Sequence, residues 1–233
     1  MEIINKKSGK KERNRTKAII FDFDDTLINT KDVSIEKHKE AARILGIDFD
    51  EKELIRRWGQ PWPMLLYEFL GDKADKFVKI MGRLENFEFG QIKGAEKAIL
   101  YAKQNKMFIG ILSSSERKWV LRKAESASIN LQHFDDWLII CNEDVEKHKP
   151  NPSAFNIILK RLSEKGLNKD EVLYCGDNLI DFETAKNAGI NFMAVTTGFT
   201  EKEHFIEAGL SGEMIIPSIK ELPEKLENLN LLK

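Results

Sequence analysis

Three carboxylates follow an apolar run near the start of the sequence, in the segment AIIFDFDDTL at residues 18–27. Asp22, Asp24 and Asp25 are close enough along the chain to repel one another. Aspartate favours turns, so a turn at the end of a strand is one explanation for this crowding. A site that holds a metal ion and a nucleophile is the other, because a cation offsets the repulsion between carboxylates.

Polar side chains also follow three later apolar runs of the sequence. These are Ser113 and Ser114 after MFIGIL, Lys149 after WLIIC, and Asp177 and Asp181 after VLYC. In open α/β sheets, binding sites form beyond the carboxyl ends of the strands. We therefore expect all of these side chains to meet Asp22 and Asp24 on one rim of a sheet.

Six short apolar runs indicate the fold that must position this rim. They are AIIFDF, MFIGIL, WLIIC, VLYC, FMAV and MII. Continuous apolar strands, without polar alternation, are typical of a parallel sheet buried on both faces. Helical patterns separate the runs, one with Asn151 as an N-terminal cap and another ending at Gly189. The alternation predicts an α/β fold, a Rossmann-like three-layer core with helices on both faces of the sheet.

The first two strands are separated by more residues than a simple crossover needs. Residues 31–92 contain amphipathic helical patterns and no strand-like run. We predict that they form a small α-helical cap domain, inserted into an α/β core made of 17–30 and 93–233. The segment 1–16 is strongly basic and is predicted to be a flexible tail.

The composition limits the classes of function. Hydrophobic residues make up 42% of the chain, which is enough for a proper core. Lys and Arg total 37 against 38 Asp and Glu, so net charge favours neither nucleic acid nor membrane, and the basic tail is the one hint of nucleic acid. No apolar run approaches the ~18 residues of a membrane span, and no secretory signal is evident. Cys141 and Cys175 adjoin apolar residues, so we expect buried, reduced thiols in a cytoplasmic protein.

Four signatures occur in order along the chain, DFDDT, ILSSS, HKPNP and GDNLID, and the last is followed by AKNAGI. With these, the sequence resembles the haloacid dehalogenase-like (HAD) hydrolase superfamily, in its phosphoglycolate phosphatase-like branch. The resemblance covers roughly residues 17–222. It implies a phosphatase with a helical cap between the first two signatures. Its expected reaction is the Mg²⁺-dependent removal of phosphate from a small phosphorylated metabolite through an aspartyl-phosphate intermediate.

The chemistry of each residue agrees with that implied reaction. A carboxylate can attack phosphorus and form an acyl phosphate, which is the role predicted for Asp22. Asp24 lies two positions on and projects to the same side of an extended chain. We expect it to protonate the leaving oxygen and later to take a proton from water. A turn accounts well for Asp25.

The transferred phosphoryl group needs donors for its three oxygens. Lys149 is predicted to supply a fixed positive charge. Ser113 would donate from its hydroxyl and Ser114 from its backbone amide. Ser113 and Glu116 also fit a capping box, which is a purely structural alternative for this serine.

Carboxylates gathered on one rim would repel one another unless a cation joins them, and Mg²⁺ prefers such hard oxygen ligands. By resemblance, Asp22 and Asp177 ligate the ion directly, together with the backbone carbonyl of Asp24. Asp181 is expected to act through water or to orient the ligands. Helix capping is the structural alternative for Asp177 and Asp181.

By its location, the segment RRWGQPWPMLL (56–66) resembles the cap loop that faces the active site in relatives. Arg57, Trp58 and Gln60 are therefore candidates for recognising the leaving group, and aromatic packing between cap helices is the alternative. A cap that closes over the site favours small substrates. The sequence does not name the substrate.

Other functions remain open for the same residues. A phosphomutase or sugar phosphotransferase differs only in whether a sugar or water accepts the phosphoryl group. A dehalogenase requires neither Asp24 nor a metal, so the intact signatures argue against it. A phosphonate hydrolase requires a cap lysine, and Lys52 is a candidate, but a lysine in a cap helix is nearly always solvated. A non-catalytic HAD-like protein that binds nucleic acid or a partner through its basic tail is the alternative from another class.

Overall fold

The computed structural model describes residues 15–57, 62–84, 87–229 and 231. The strands of this part of the chain are β1 (Ala18–Phe21), β2 (Ile28–Asn29), β3 (Gly90–Gln91), β4 (Phe108–Leu112), β5 (Ile139–Ile140), β6 (Val172–Gly176), β7 (Asn191–Val195) and β8 (Ile215–Ile216). Six of them form one parallel sheet in the order β5-β4-β1-β6-β7-β8. This confirms the predicted parallel-sheet core.

The central strand β1 shows why its sequence is apolar throughout. All four residues are fully buried, and successive side chains point to opposite faces of the sheet. Ile19 and Phe21 join one hydrophobic cluster, and Ala18 and Ile20 join the other. A strand covered on both faces has no position for a polar side chain, so no alternation appears in its sequence.

Helices cover both faces of the sheet and continue into the inserted segment. They are α1 (Lys31–Leu45), α2 (Glu51–Arg56), α3 (Trp62–Leu70), α4 (Ala74–Arg83), α5 (Ala95–Gln104), α6 (Arg117–Ser126), α7 (Asn156–Ser163), α8 (Leu179–Ala188), α9 (Lys202–Glu207) and α10 (Leu222–Asn228). Two predicted helix boundaries are confirmed. The side chain of Asn151 accepts from the N–H of Ser153 at the start of the short 3₁₀ turn before α7, and α8 ends at Gly189 with φ 75°.

Helices α1–α4 lie in the segment predicted to be the cap, and they have a hydrophobic cluster of their own. Its buried members are Ala41, Ala42, Leu66, Ala74 and Phe77. One feature of this region was not predicted. Strand β3 lies inside the range 31–92 and pairs antiparallel with β2 on the core side. Two residues are too few to produce a strand pattern in the sequence.

The topology brings the carboxyl ends of β1, β4 and β6 together. Strand β1 pairs with β4 on one side and with β6 on the other, and Phe21 is level with both Ile111 and Cys175. The chain therefore passes from β1 to β4 and β5 on one side, and later returns to β6, β7 and β8 on the other side of β1. In open α/β sheets this change of direction opens the crevice in which ligands bind.

The end of the predicted N-terminal tail contacts the C-terminal part of the chain. Residues 1–14 of the predicted tail lie outside the described residues. Thr16, at the end of that predicted tail, is buried, and its N–H donates to the carbonyl of Leu231 at 2.7 Å. Cys141 and Cys175 are buried free thiols, as predicted. In the described ranges, no helix has the length and apolar character that crossing a bilayer requires.

Candidate active site

Asp22 lies directly after β1, and only 5% of it is exposed. Its backbone N–H donates to the carbonyl of Cys175 at 2.8 Å, which extends the pairing of β1 with β6. Its Oδ1 accepts a hydrogen bond from Nζ of Lys149 at 2.7 Å. Both the backbone and the side chain of Asp22 are therefore fixed at the centre of the rim.

Two further aspartates meet Asp22 on this rim. Asp177 follows β6, and Asp181 lies in the first turn of α8. Each of the three residues offers a carboxylate oxygen, these atoms lie within 4.8 Å of one another, and all three residues are buried. Asp181 also caps its helix, since its Oδ2 accepts from the N–H of Asn178 at 3.2 Å. The capping interpretation of Asp181 is thus correct as well, but it leaves Oδ1 to face the other carboxylates.

Lys149 is the cation of this acidic group. Its Nζ donates to Asp22 Oδ1 at 2.7 Å, to Asp181 Oδ1 at 2.6 Å and to the hydroxyl of Tyr174 at 3.0 Å. Tyr174 in turn donates to Asp181 Oδ1 at 2.8 Å. One ammonium group balances one of the three carboxylates, so ionisation of all three would leave an excess of negative charge.

Burial is the main influence on the charge state of this cluster. It raises the pKa of Asp22 to about 8, against the opposing effect of Lys149, and the charge of Asp181 raises it further. Burial and the nearby Asp22 hold the pKa of Asp177 well above its usual range. A cation bound among these oxygens would favour the charged carboxylates. The chemistry of the donors, oxygens of buried carboxylates, suits a hard divalent ion.

Asp24 is held by different partners from those of Asp22. Its Oδ2 accepts from the hydroxyl of Ser115 at 2.8 Å, and its Oδ1 accepts from Nζ of Lys123 at 2.5 Å. Lys123 belongs to α6, and its ammonium group lies 5.7 Å from the ring centre of Phe89. The two carboxylates predicted to react therefore pair with different cations, Asp22 with Lys149 and Asp24 with Lys123. Their different surroundings allow them different chemical roles.

Asp25 has the structural role that its sequence context indicates. It adopts φ 58°, a left-handed conformation that aspartate tolerates better than most residues. Its Oδ1 accepts from the backbone N–H groups of Thr30 and Lys31, at 2.9 and 2.8 Å, where α1 begins. Burial raises the pKa of Asp25 to about 6. This aspartate ties the loop after β1 to the first cap helix.

The three serines after β4 have distinct surroundings. The hydroxyl of Ser113 accepts from the N–H of Ser115 at 3.0 Å, and the N-terminal cap of α6 is Glu116 without a side-chain bond. The capping box considered for Ser113 is therefore not formed. The hydroxyl of Ser114 is buried without a hydrogen-bond partner among the described residues and lines the cleft described below.

A cleft of about 450 Å³ lies between the rim and helices α1–α4. Asp22, Asp24, Lys149 and Arg57 all line it. The Nη1 of Arg57 pairs with Glu68 at 2.5 Å, so this candidate for substrate recognition faces the cleft with a partner from α3. The other two candidates, Trp58 and Gln60, lie outside the described residues.

Gly198, in the loop after β7, approaches the acidic group closely. A Cβ atom at this position would lie 1.8 Å from Oδ2 of Asp177. Glycine is thus required here so that the loop can pass the carboxylate. Thr26 supports the same residue from the other side, donating to Asp177 Oδ1 at 3.3 Å.

Several residues of the site were not found from the sequence. Tyr174, Lys123 and Gly198 carry no signature of their own, because their roles depend on which elements lie next to each other. Ser115 did carry a signal, as the third serine of ILSSS, but only the first two serines were assigned.

A family model described as haloacid dehalogenase-like hydrolase matches residues 19–195. The chain belongs to this family. Among curated relatives, a phosphoglycolate phosphatase of Cereibacter sphaeroides is 28% identical over 78% of this chain and 86% of its own. A phosphorylated carbohydrates phosphatase of Thermotoga maritima is 23% identical over 88% of this chain and 99% of its own. The match confirms the assignment to the HAD-like phosphatases.

Solved structures share the fold of this chain. A hydrolase from Pseudomonas syringae superposes with a TM-score of 0.74, at 19% identity, over 91% of this chain and 99% of its own. A similarity at this level of identity concerns the architecture alone. The α/β core with its parallel sheet is thus the fold of this family.

Proposed function

We propose that this HAD-like protein is a Mg²⁺-dependent phosphatase that removes phosphate from a small phosphorylated metabolite through an aspartyl-phosphate on Asp22. One observation carries the proposal: Asp22, Asp177 and Asp181 meet around Lys149 at the carboxyl end of the central strand, facing the cleft. The names of the two phosphatase relatives support it. The proposed partner is a small phosphorylated substrate, and a cytoplasmic setting agrees with the free thiols.

In the first half of the reaction, the carboxylate of Asp22 attacks phosphorus while the bond to the leaving oxygen breaks. Asp24, beside it, gives its proton to that oxygen, which leaves as a neutral hydroxyl group. Lys149 and the amide and hydroxyl groups of Ser113 and Ser114 bind the phosphoryl oxygens. Asp22 binds the phosphoryl group, so a separate proton carrier is needed, and Asp24 with its own partners supplies it.

In the second half, Asp24 takes a proton from a water molecule that attacks the phosphorus of the acyl phosphate. The P–O bond to Asp22 breaks, inorganic phosphate leaves and both aspartates return to their starting states. Mg²⁺, when bound by Asp22, Asp177 and the backbone carbonyl of Asp24, with Asp181 orienting them, would neutralise charge on the phosphoryl oxygens.

The test is phosphate release from para-nitrophenyl phosphate, with Mg²⁺ and with chelator. We expect Asp22→Asn to lower kcat/KM by about 10⁴-fold or more, because it removes the nucleophile. Asp72→Asn is the matched control, since Asp72 is an exposed aspartate of the cap. Activity that survives in Asp22→Asn, or in chelator, would overturn the mechanism.

The same assay separates the phosphatase from the phosphomutase and phosphotransferase alternatives. A phosphatase releases one inorganic phosphate for each substrate consumed, whether or not a sugar is added. A sugar that takes up the phosphoryl group, with phosphate release falling in proportion, would identify a transferase instead.

A further inference from the structure

Lys37 is a buried cation for which the described residues provide no counter-charge. It lies on α1, lines the cleft and is only 7% exposed. Among the described residues it makes neither an ion pair nor a hydrogen bond, and its ammonium group lies 5.6 Å from the ring centre of Phe87. Burying an unpaired ammonium group costs folding free energy, and an anionic ligand bound beside it would offset that cost.

The neighbours of Lys37 increase that cost. Burial lowers its pKa, and the positive charges of Arg122 and Lys123 lower it further. Lys123 also lines the cleft, and Asp24 is the carboxylate that pairs with it. Lys37 of α1 and Lys123 of α6 thus both line the cleft, and among the described residues Lys123 pairs with Asp24 whereas Lys37 has no carboxylate partner.

Three uncharged groups beside the cleft are also unsatisfied. The side-chain oxygens Thr30 Oγ1, Ser114 Oγ and Asn142 Oδ1 are buried and lack hydrogen-bond partners among the described residues. All three residues line the same cleft. Buried polar atoms are nearly always bonded, so their coincidence in one cleft indicates a polar ligand.

The positions of the cations indicate which part of the substrate they meet. In the proposed mechanism the phosphoryl group lies at Asp22 and Lys149, and Asp24 protonates the leaving oxygen. Asp24 accepts from Lys123 through Oδ1 and from Ser115 through Oδ2, and Lys123 is close enough to Lys37 for its charge to lower the pKa of that lysine. A leaving group that Asp24 protonates therefore lies in the same cleft as both lysines.

We infer that the cleft binds substrates whose leaving group carries its own negative charge, and that Lys37 and Lys123 bind that charge. The anion is a carboxylate or a second phosphoryl group, which offer ammonium groups the same kind of charged oxygen acceptors. The inference rests on the proposed function, and it restricts the substrate class from phosphate esters in general to those with two separate anionic groups.

The experiment compares kcat/KM for three substrates. The leaving group of 2-phosphoglycolate carries a carboxylate, that of pyrophosphate is itself a phosphate, and that of 2-hydroxyethyl phosphate is the uncharged match of the first. We expect the wild-type protein to prefer one of the anionic substrates over the uncharged one by about 30-fold, the value of a charge-assisted hydrogen bond. Which of the two anionic substrates is faster identifies the source of the charge.

The variant Lys37→Met tests the residue itself. We expect it to reduce the ratio of anionic to uncharged kcat/KM by about 30-fold. Lys39→Met is the matched control, because it removes the same charge from the outward face of the same helix, where Lys39 pairs with Glu51. Lys123→Met should reduce the ratio as well and should also slow all three substrates, because Asp24 loses a partner.

A binding measurement provides a readout independent of turnover. Asp22→Asn protein is titrated by calorimetry with phosphonoacetate and with ethylphosphonate, whose P–C bonds this reaction does not cleave. We expect tighter binding of phosphonoacetate, and loss of that difference when Lys37→Met is added.

The outcomes distinguish the two proposals. Cleavage of hydroxyethyl phosphate that depends on Asp22, with a ratio near one in the wild-type protein or a ratio unchanged in Lys37→Met, would overturn the inference and leave the proposed function standing. If none of the three substrates reacts in an Asp22-dependent way, the proposed function is overturned. Equal binding of the two phosphonates would then overturn the inference too.

Discussion

Lys149 and Lys37 are two buried lysines of equal exposure, 7% each, in opposite surroundings. Lys149 donates to two carboxylates and a phenol on the rim, and the charges of Asp181 and Asp22 raise its pKa although burial alone would lower it. For Lys37, both burial and the neighbouring cations lower the pKa. Lys149 thus has hydrogen-bond partners within the protein. Lys37 has neither a hydrogen bond nor an ion pair among the described residues.

A prearranged catalytic group and a ligand-binding group can be distinguished by whether the side chain has partners within the protein. The rim residues hold one another in place, so their geometry exists before the substrate binds. A lysine with no partner is instead stabilised only when a ligand supplies the charge. Lys149→Met and Lys37→Met should therefore change the free energy of unfolding in opposite directions.

The largest expected effect on stability is that of Lys149→Met. Removing this ammonium group leaves Asp22 and Asp181 buried without a cation, which costs about 3–5 kcal/mol when one partner of a buried pair is lost. Urea unfolding in the presence of chelator measures this loss. Added Mg²⁺ should restore part of it, because a cation would again be bound among the carboxylates. A variant as stable as the wild-type protein would show that the rim does not depend on Lys149.

The next effect concerns His38, the neighbour of Lys37 on α1. Its Nδ1 lies 2.6 Å from the carbonyl oxygen of Ser34, and burial lowers its pKa from 6.5 to about 4. Between these two pH values the unfolded chain binds a proton that the folded chain does not, so stability is lost as the pH falls from 6.5 to 4. The full loss is about 3 kcal/mol.

Urea unfolding at several pH values checks this prediction against the variant His38→Asn, whose amide can still donate to Ser34. The wild-type protein should lose about 3 kcal/mol more than the variant between pH 7 and pH 4. Parallel pH profiles for the two proteins would contradict it.

The smallest effect is that of Lys37→Met on stability, and its sign is opposite to that of Lys149→Met. Replacing an unpaired buried ammonium group by an apolar side chain should raise the free energy of unfolding by about 1 kcal/mol. Urea unfolding at pH 7 without ligand measures the change, with Lys39→Met as the exposed control. A clear loss of stability in Lys37→Met alone would mean that the fold does compensate this lysine.

The core of the fold could be predicted because its physical causes are local. The strands are apolar throughout since both faces of the sheet are covered, and Asn151 and Gly189 mark helix ends by their own chemistry. The rim could be anticipated for a related reason. The polar residues that follow buried strands are placed on one edge by the topology, so Asp22 and Asp177 meet although they are far apart in the sequence.

The cleft side of the site could not be predicted in this way. Lys37 and Lys123 lie on amphipathic helices, where most lysines are solvated. Their places in the cleft, with Lys37 near Phe87 and Lys123 near Phe89, depend on the tertiary structure. The pairing of β2 with β3 is too short for a sequence pattern. The roles suggested for Trp58 and Gln60 stay predictions, as do the cap boundaries.

The pairing of Ile28 and Asn29 with Gln91 and Gly90 has a consequence for how such proteins diversify. The chain leaves the sheet layer and returns to it through one narrow ribbon, so everything between Asn29 and Gly90 behaves as a cassette with adjacent ends. Closing that gap with a tight turn would cost little chain entropy. A cassette from another protein could thus be grafted there to exchange substrate preference while the reacting aspartates remain unchanged.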